Sequence, residues 1–153
     1  MDSSSSLRAR FGMLFVGTAR RWRAAVDARL AGLGLSDATW PPLIHIDRSG
    51  GGISQTELAA RVGIDGSSLV RLLDILAGKG LIERRQDPAD RRSNLLFLTP
   101  AGQVAVAEIR RILIETEEAM LADLDDARME ALTHALERID ARIRHLRDGA
   151  SGP

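Results

Sequence analysis

The chain has 153 residues and no cysteine, which excludes disulfides, thiolate metal sites and cysteine-based redox sensing. Its 21 basic side chains balance 21 acidic ones, and three Phe, two Trp and no Tyr make aromatics scarce. No apolar run approaches the roughly 20 residues that span a membrane, and Met1–Ser6 leads into arginines without the apolar core of a secretory signal. A cytoplasmic, single-domain protein able to bury roughly 70% of its unfolded surface is expected.

The zero net charge hides an uneven distribution. Residues 7–31 hold six Arg against one Asp, and residues 101–153 hold seven Arg against eleven acids. Residues 54–99 hold seven bases and six acids, with basic clusters at Arg84, Arg85, Arg91 and Arg92. Opposed ends suit termini that pack together, and any contact with a polyanion must then rest on a few placed arginines.

In chain order, residues 1–6 read as a Ser-rich disordered tail. Phe11, Leu14, Phe15, Thr18, Trp22, Val26 and Leu30 recur at helical spacing and predict a helix over 7–30, ended by Gly32 and Gly34. Ser36 is a candidate cap for a second helix running to about Arg48. Pro41 and Pro42 would remove two interior hydrogen bonds from a helix begun at Asp37, so it either begins near Trp40 or has a distorted first turn. Ser49–Gly52 is a flexible loop; no Lys-Ser/Thr follows it, so it is not a phosphate cradle.

Ser54 is a good N-cap, with Glu57 placed to reach back to it. Leu58, Ala59 and Val62 give the next helix an apolar face, and Gly63 ends it. Asp65 caps a helix expected from about Gly66 to Gly78, with Leu69, Leu72, Leu73 and Leu76 on its core side. Two helices joined by so short a turn form a helix-turn-helix. Residues 81–85 and 93–98 then read as strands around Asp87-Pro88-Ala89-Asp90-Arg91-Arg92, a turn with a basic tip. Helix-turn-helix plus basic hairpin is a winged helix, and we read it as a DNA reader.

This stretch resembles the MarR family of bacterial transcription regulators, in its SlyA-like branch. The resemblance is carried by Gln55–Ala59, Ser68–Asp74, Lys79–Ile82, Asp87–Arg92 and Leu98–Gly102, and extends over residues 7–147. It implies that Ile53 supplies a third strand to the wing sheet.

Thr99 and Pro100 supply cap and first residue of the next helix, which carries Val104, Ile109, Ile112, Leu113 and Met120 and ends before Asp125-Asp126. In the last helix Met129, Leu132, Leu136, Ile139, Ile143 and Leu146 are spaced 3, 4, 3, 4, 3, an a/d seam. The expectation is a mainly α chain, an α+β winged helix of six helices with a small β-hairpin wing. It is read as one domain over 7–147, its DNA-binding part at about 37–99 and its dimerisation helices at about 7–31 and 100–147, with residues 148–153 a second disordered tail. The resemblance likewise implies a two-fold dimer with interleaved terminal helices.

In a helix-turn-helix the N-terminal residues of the second helix face base edges in the major groove. Ser67 and Ser68 are small enough for close approach and their hydroxyls can bond phosphate or base. Arg71, one turn on, is either a bidentate guanine reader or a phosphate clamp. Val70 either touches a thymine methyl or packs. Gln55 and Thr56 can donate to phosphate at a helix N-terminus. Arg91 and Arg92 sit at a tip narrow enough for a minor groove, while Arg84 and Arg85 suit backbone contacts. The family pattern implies that Asp90 fixes a wing arginine by a salt bridge. Two-fold symmetry predicts a pseudo-palindromic operator with half-sites about one helical turn apart.

The resemblance also implies release of DNA when a small, often aromatic acid binds between the dimer helices and the DNA-binding part. Arg20, Trp22, Trp40, Pro41, Leu43 and His45 are candidates for lining that pocket, with Arg20 meeting a carboxylate and the tryptophans stacking on a ring. At their spacing Trp22 and Trp40 equally suit core. No catalytic constellation appears: His45, His134 and His145 are isolated, no metal-ligand spacing occurs, and no cofactor is implied. The expected function is a homodimeric, sequence-specific repressor of double-stranded DNA. A winged helix that binds protein, or a non-specific architectural DNA binder, is the alternative.

Overall fold

The computed structural model describes residues 3–35 and 38–150. Among these are six α-helices and a three-stranded antiparallel sheet. Helix α1 (Ser3–Leu30) passes through a 3-10 turn (Ala31–Leu33) to Gly34, which takes φ 67°. The helix thus begins at Ser3 rather than Leu7. Ser36 lies outside the described residues.

Helix α2 (Trp40–Arg48) begins where the prolines allow. Pro41 and Pro42 fall in its first turn, where backbone N–H groups have no intrahelical acceptor, so neither removes a helix bond. Strand β1 (Ile53–Ser54) leads directly into α3 (Gln55–Val62). The Ser54 Oγ accepts from the Glu57 N–H at 3.2 Å. Only half of the expected reciprocal cap forms, for the Glu57 carboxylate turns forward to Arg61 at 2.6 Å. Gly63, at φ 79°, closes α3.

Helix α4 (Gly66–Gly78) has the predicted span. Leu69, Leu73 and Leu76 are fully buried, as are Leu58, Leu43 and Ile46 of the preceding helices. Strands β2 (Ile82–Gln86) and β3 (Asn94–Leu98) pair with Ile82 opposite Leu98 and Gln86 opposite Asn94. β1 adds to the free side of β3, with Ile53 opposite Leu96, giving the order β1-β3-β2.

Helix α5 (Pro100–Met120) is capped by the Thr99 Oγ1, which accepts from the Gly102 N–H at 3.0 Å and donates to the Gly80 carbonyl at 2.6 Å. A Cβ on Gly102 would stand 2.0 Å from the Leu81 carbonyl oxygen, so glycine alone permits this approach. Arg110 of α5 pairs with Asp47 of α2.

The chain divides into two compact units after Thr116. The second unit holds the end of α5 and α6 (Asp126–Ala150), whose cap is the Asp125 carboxylate accepting from the Arg128 N–H at 2.9 Å. α6 takes in Asp148 and Gly149, which the sequence assigned to a tail. Of its seam, Leu132, Ile143 and Leu146 stay exposed.

Candidate nucleic-acid interface

Helical geometry places Arg71 about 200° around α4 from Leu69, and Arg71 is exposed while Leu69 is buried. Ser67 and Ser68 are exposed as well, but their hydroxyl hydrogens are already committed. The Ser67 Oγ donates to the Asp65 Oδ1 at 2.6 Å, and the Ser68 Oγ donates to the Asp65 Oδ2 at 2.7 Å. The Ser68 N–H adds a third bond at 2.8 Å. These three donors hold the Asp65 carboxyl far below the usual carboxylate range, the Ser67 hydroxyl contributing most. Gln55 and Thr56 open α3, at the positive end of its dipole, with Thr56 exposed and Gln55 half-buried.

The strand period of two separates Arg84 from Arg85. Arg84 shares a face of the sheet with the buried Ile82 and reaches across to Asp74 of α4 at 2.7 Å. Arg85 lies on the other face, 4.3 Å over the Phe97 ring and paired with Glu83. Beneath the same ring, a Cβ on Gly51 would come within 2.9 Å of the Phe97 Cδ1, and Gly51 takes φ 89°. The glycine loop is therefore the seat of an aromatic ring.

The wing tip is built by two aspartates. The Asp87 Oδ1 accepts from the Ala89 N–H at 2.9 Å, and the Asp90 Oδ1 accepts from the Arg92 N–H at 3.0 Å. Asp90 thus holds the turn through a backbone amide, in place of the salt bridge to a guanidinium that the family pattern implied.

This sorts the seven cations of residues 54–99. Arg61 pairs with Glu57, Arg84 with Asp74 and Arg85 with Glu83, while the Lys79 Nζ donates to the Gly34 carbonyl at 3.0 Å. Arg71, Arg91 and Arg92 are exposed and form no ion pair among the described residues. The unpaired guanidiniums are those on the outer face of α4 and at the wing tip.

Residues 33–93 match the model of the MarR family. The crystal structure of the transcriptional regulator PA3341 superposes with a TM-score of 0.82 at 38% identity, covering 88% of this chain and 98% of that one. The chain belongs to the MarR family. A MarR-family regulator from a Rhodococcus species is similar at 25% identity and TM-score 0.78, over 87% of this chain and 94% of that one. A cysteine-to-serine variant of E. coli MarR complexed with operator DNA shares the fold at 23% identity and TM-score 0.77, over 91% and 99% of the two chains.

In this MarR-family chain the six residues anticipated for an effector differ in burial. Leu43 is fully buried, Pro41 is buried, Trp22, Trp40 and His45 are half-buried, and Arg20 is exposed. The Trp40 Nε1 donates to the Asp27 Oδ1 at 2.8 Å, and Arg23 pairs with Asp27 at 3.1 Å while stacking 4.7 Å over the Trp40 ring. Burial first, then Arg48 and Arg61, lowers the His45 pKa and favours its neutral form. A groove of about 220 Å³ is lined by Arg23, Ala38, Pro41, Val62, Ile64 and Leu72. Pro41 alone of the six lines it, and its cation is Arg23 rather than Arg20.

Sequence reasoning passed over Asp74, Phe97 and Arg23, and saw Asp65 only as a cap. A signal existed for two of them. Arg23 and Asp27 form a legible i,i+4 pair, and an Asp followed by Ser at the second and third positions is the spacing at which a cap consumes the hydroxyls.

Proposed function

We propose that this chain is a sequence-specific DNA-binding repressor that acts as a homodimer on a pseudo-palindromic operator in the cytoplasm and is released by a small aromatic ligand. The observation that carries the reading is the sorting of the cations. Arg71, Arg91 and Arg92 are left without acid partners, on the two elements that a winged helix applies to a duplex. The operator complex of E. coli MarR, which has the same fold, supports it. Binding specifically to a promoter blocks polymerase without further machinery, which favours repression.

Dimerisation is supported by apolar stripes that a single chain leaves uncovered. On α1, Leu7 is 68% exposed and Leu14 63% exposed, with Phe11 and Phe15 stacked beside them at 5.7 Å; on α6, Leu146 is 59% exposed. Such surface is covered by a second copy at little cost in a protein that needs two half-sites. Ligand release is supported by the groove beside Arg23 and Trp40, whose lining is apolar apart from one guanidinium.

Fluorescence anisotropy on the DNA flanking the chain's own gene, with a scrambled duplex as control at two salt concentrations, tests the reading. A strong preference for the native sequence, lost in Arg71→Ala, is expected. Equal and salt-steep binding to both duplexes would make the chain an architectural binder. Absence of binding, confirmed by a random-sequence selection, would make its winged helix a protein-binding module. Added benzoate is expected to lower the affinity for the native duplex and to quench Trp40.

A further inference from the structure

We infer that Val70 reads the 5-methyl group of a thymine in each operator half-site, beside the base that Arg71 reads. The inference rests on the DNA-binding function proposed above. It follows from which side chains on the outer surface of α4 remain uncommitted. Ser67 and Ser68 give their hydroxyl hydrogens to Asp65, and Asp74 is held by Arg84. What remains is Arg71, without an ion pair, and two apolar side chains, Val70 at 40% and Ile75 at 47% exposure.

Val70 is not needed by the core. Leu69, Leu73 and Leu76 fill that side of the helix at 0% exposure, and Val70 lies about 100° around from Leu69. Single exposed valines are common on proteins, but the position of this one restricts what it can meet. It stands in the first half of a helix whose N-terminal residues enter the major groove, directly before Arg71. Ile75 stands five residues further on, away from the groove floor. In the major groove the thymine methyl is the apolar group on a base edge. A valine side chain in a helix is held in one dominant rotamer, so its two methyls are presented with little entropy to lose.

The test is a uracil scan. A random-sequence selection with the full-length protein supplies a duplex that it binds. Each thymine is then replaced in turn by deoxyuridine, which removes the 5-methyl and nothing else. Removing one contacted methyl is expected to weaken binding about fourfold, and removing its symmetry mate as well about 15-fold. In Val70→Ala, whose folding is checked by its circular-dichroism melt, the same replacement should have no effect, whereas Ile75→Ala should behave as wild type.

If no thymine responds on a duplex that wild type binds, the inference is overturned while the DNA-binding reading stands. A uracil effect of equal size in Val70→Ala overturns it too, since another group then reads the methyl. Failure of wild type to select any sequence removes the DNA-binding reading, and the inference with it.

Discussion

The Arg84 guanidinium donates to the Asp74 carboxylate at 2.7 Å, fastening strand β2 of the wing to the outer surface of helix α4. One ion pair thus joins the two elements that carry the unpaired arginines. It also neutralises an acid on the surface of α4 that the proposed function applies to DNA.

Asp74→Ala should therefore change binding more than folding. Asp74 is 62% exposed and Arg84 29% exposed, so solvent screening limits the pair to at most about 1 kcal/mol of stability. With the acid removed and Arg84 free, affinity for scrambled DNA should rise several-fold, and the slope of log affinity against log salt should steepen by about one. Anisotropy at three salt concentrations measures both. An unchanged slope would show that Arg84 remains away from phosphate.

Arg91→Ala and Arg92→Ala should weaken all sequences alike, each reducing the salt slope by about one. Arg71→Ala should instead erase discrimination at one base pair, by about 1–3 kcal/mol. The same titration on operator variants separates the two behaviours, and a uniform loss in Arg71→Ala would assign that residue to phosphate.

Asp65 should impart acid sensitivity to α4. Its folded pKa lies below the unfolded value of about 3.9. The stability it contributes is thus complete above that value and is lost as pH falls toward the lower folded one. Asp65→Ala should melt below wild type at pH 7, and the gap should begin to narrow on acidification below about pH 4. Asp65→Asn keeps a cap without a titrating group, so its own cap contribution should not vary with pH. Thermal melts between pH 7 and pH 3 show whether the gap narrows.

Gly102→Ala should be among the most damaging single-methyl changes in the chain. The added carbon would meet the Leu81 carbonyl oxygen at 2.0 Å, and that backbone also receives the Thr99 N–H at 3.1 Å. Relief requires α5 to move away from the α4–β2 turn, at a cost of about 1–3 kcal/mol or more. Urea denaturation measures it; a loss below half a kcal/mol on the scale of ordinary surface substitutions, roughly ±0.5 kcal/mol, would show that α5 is free to shift.

Gly51→Ala carries two separable costs. One is the left-handed backbone at φ 89°, about 1–3 kcal/mol. The other is contact with the Phe97 ring at 2.9 Å, which Phe97→Leu should relieve. A double-mutant cycle in urea should show a smaller penalty for Gly51→Ala in the Phe97→Leu background. Equal penalties would leave backbone strain as the whole effect.

What the sequence determined by itself was local. The span Gly66–Gly78, the Ser54 and Thr99 caps, the third strand at Ile53 and the wing around Asp87–Arg92 follow from spacing, turn chemistry and family resemblance, and the structure shows each of them. These features depend on neighbours within a few residues, where sequence and space coincide. Pro41 and Pro42 left two starts open for α2, and their lack of N–H groups is accommodated by the first turn beginning at Trp40.

Which arginines are free was decided only by the tertiary structure. Arg84 and Arg85 are adjacent in sequence yet lie on opposite faces of β2, one held by an acid ten residues away and the other by a ring on β3. Lys79 bonds a carbonyl 45 residues away and Arg110 an acid 63 residues away. Charges and hydrogen-bond donors act through space, so commitments between residues far apart in sequence depend on how helices and strands are brought together and are invisible to any local window. The same holds for Gly102, whose missing side chain matters because Leu81 has been folded against it.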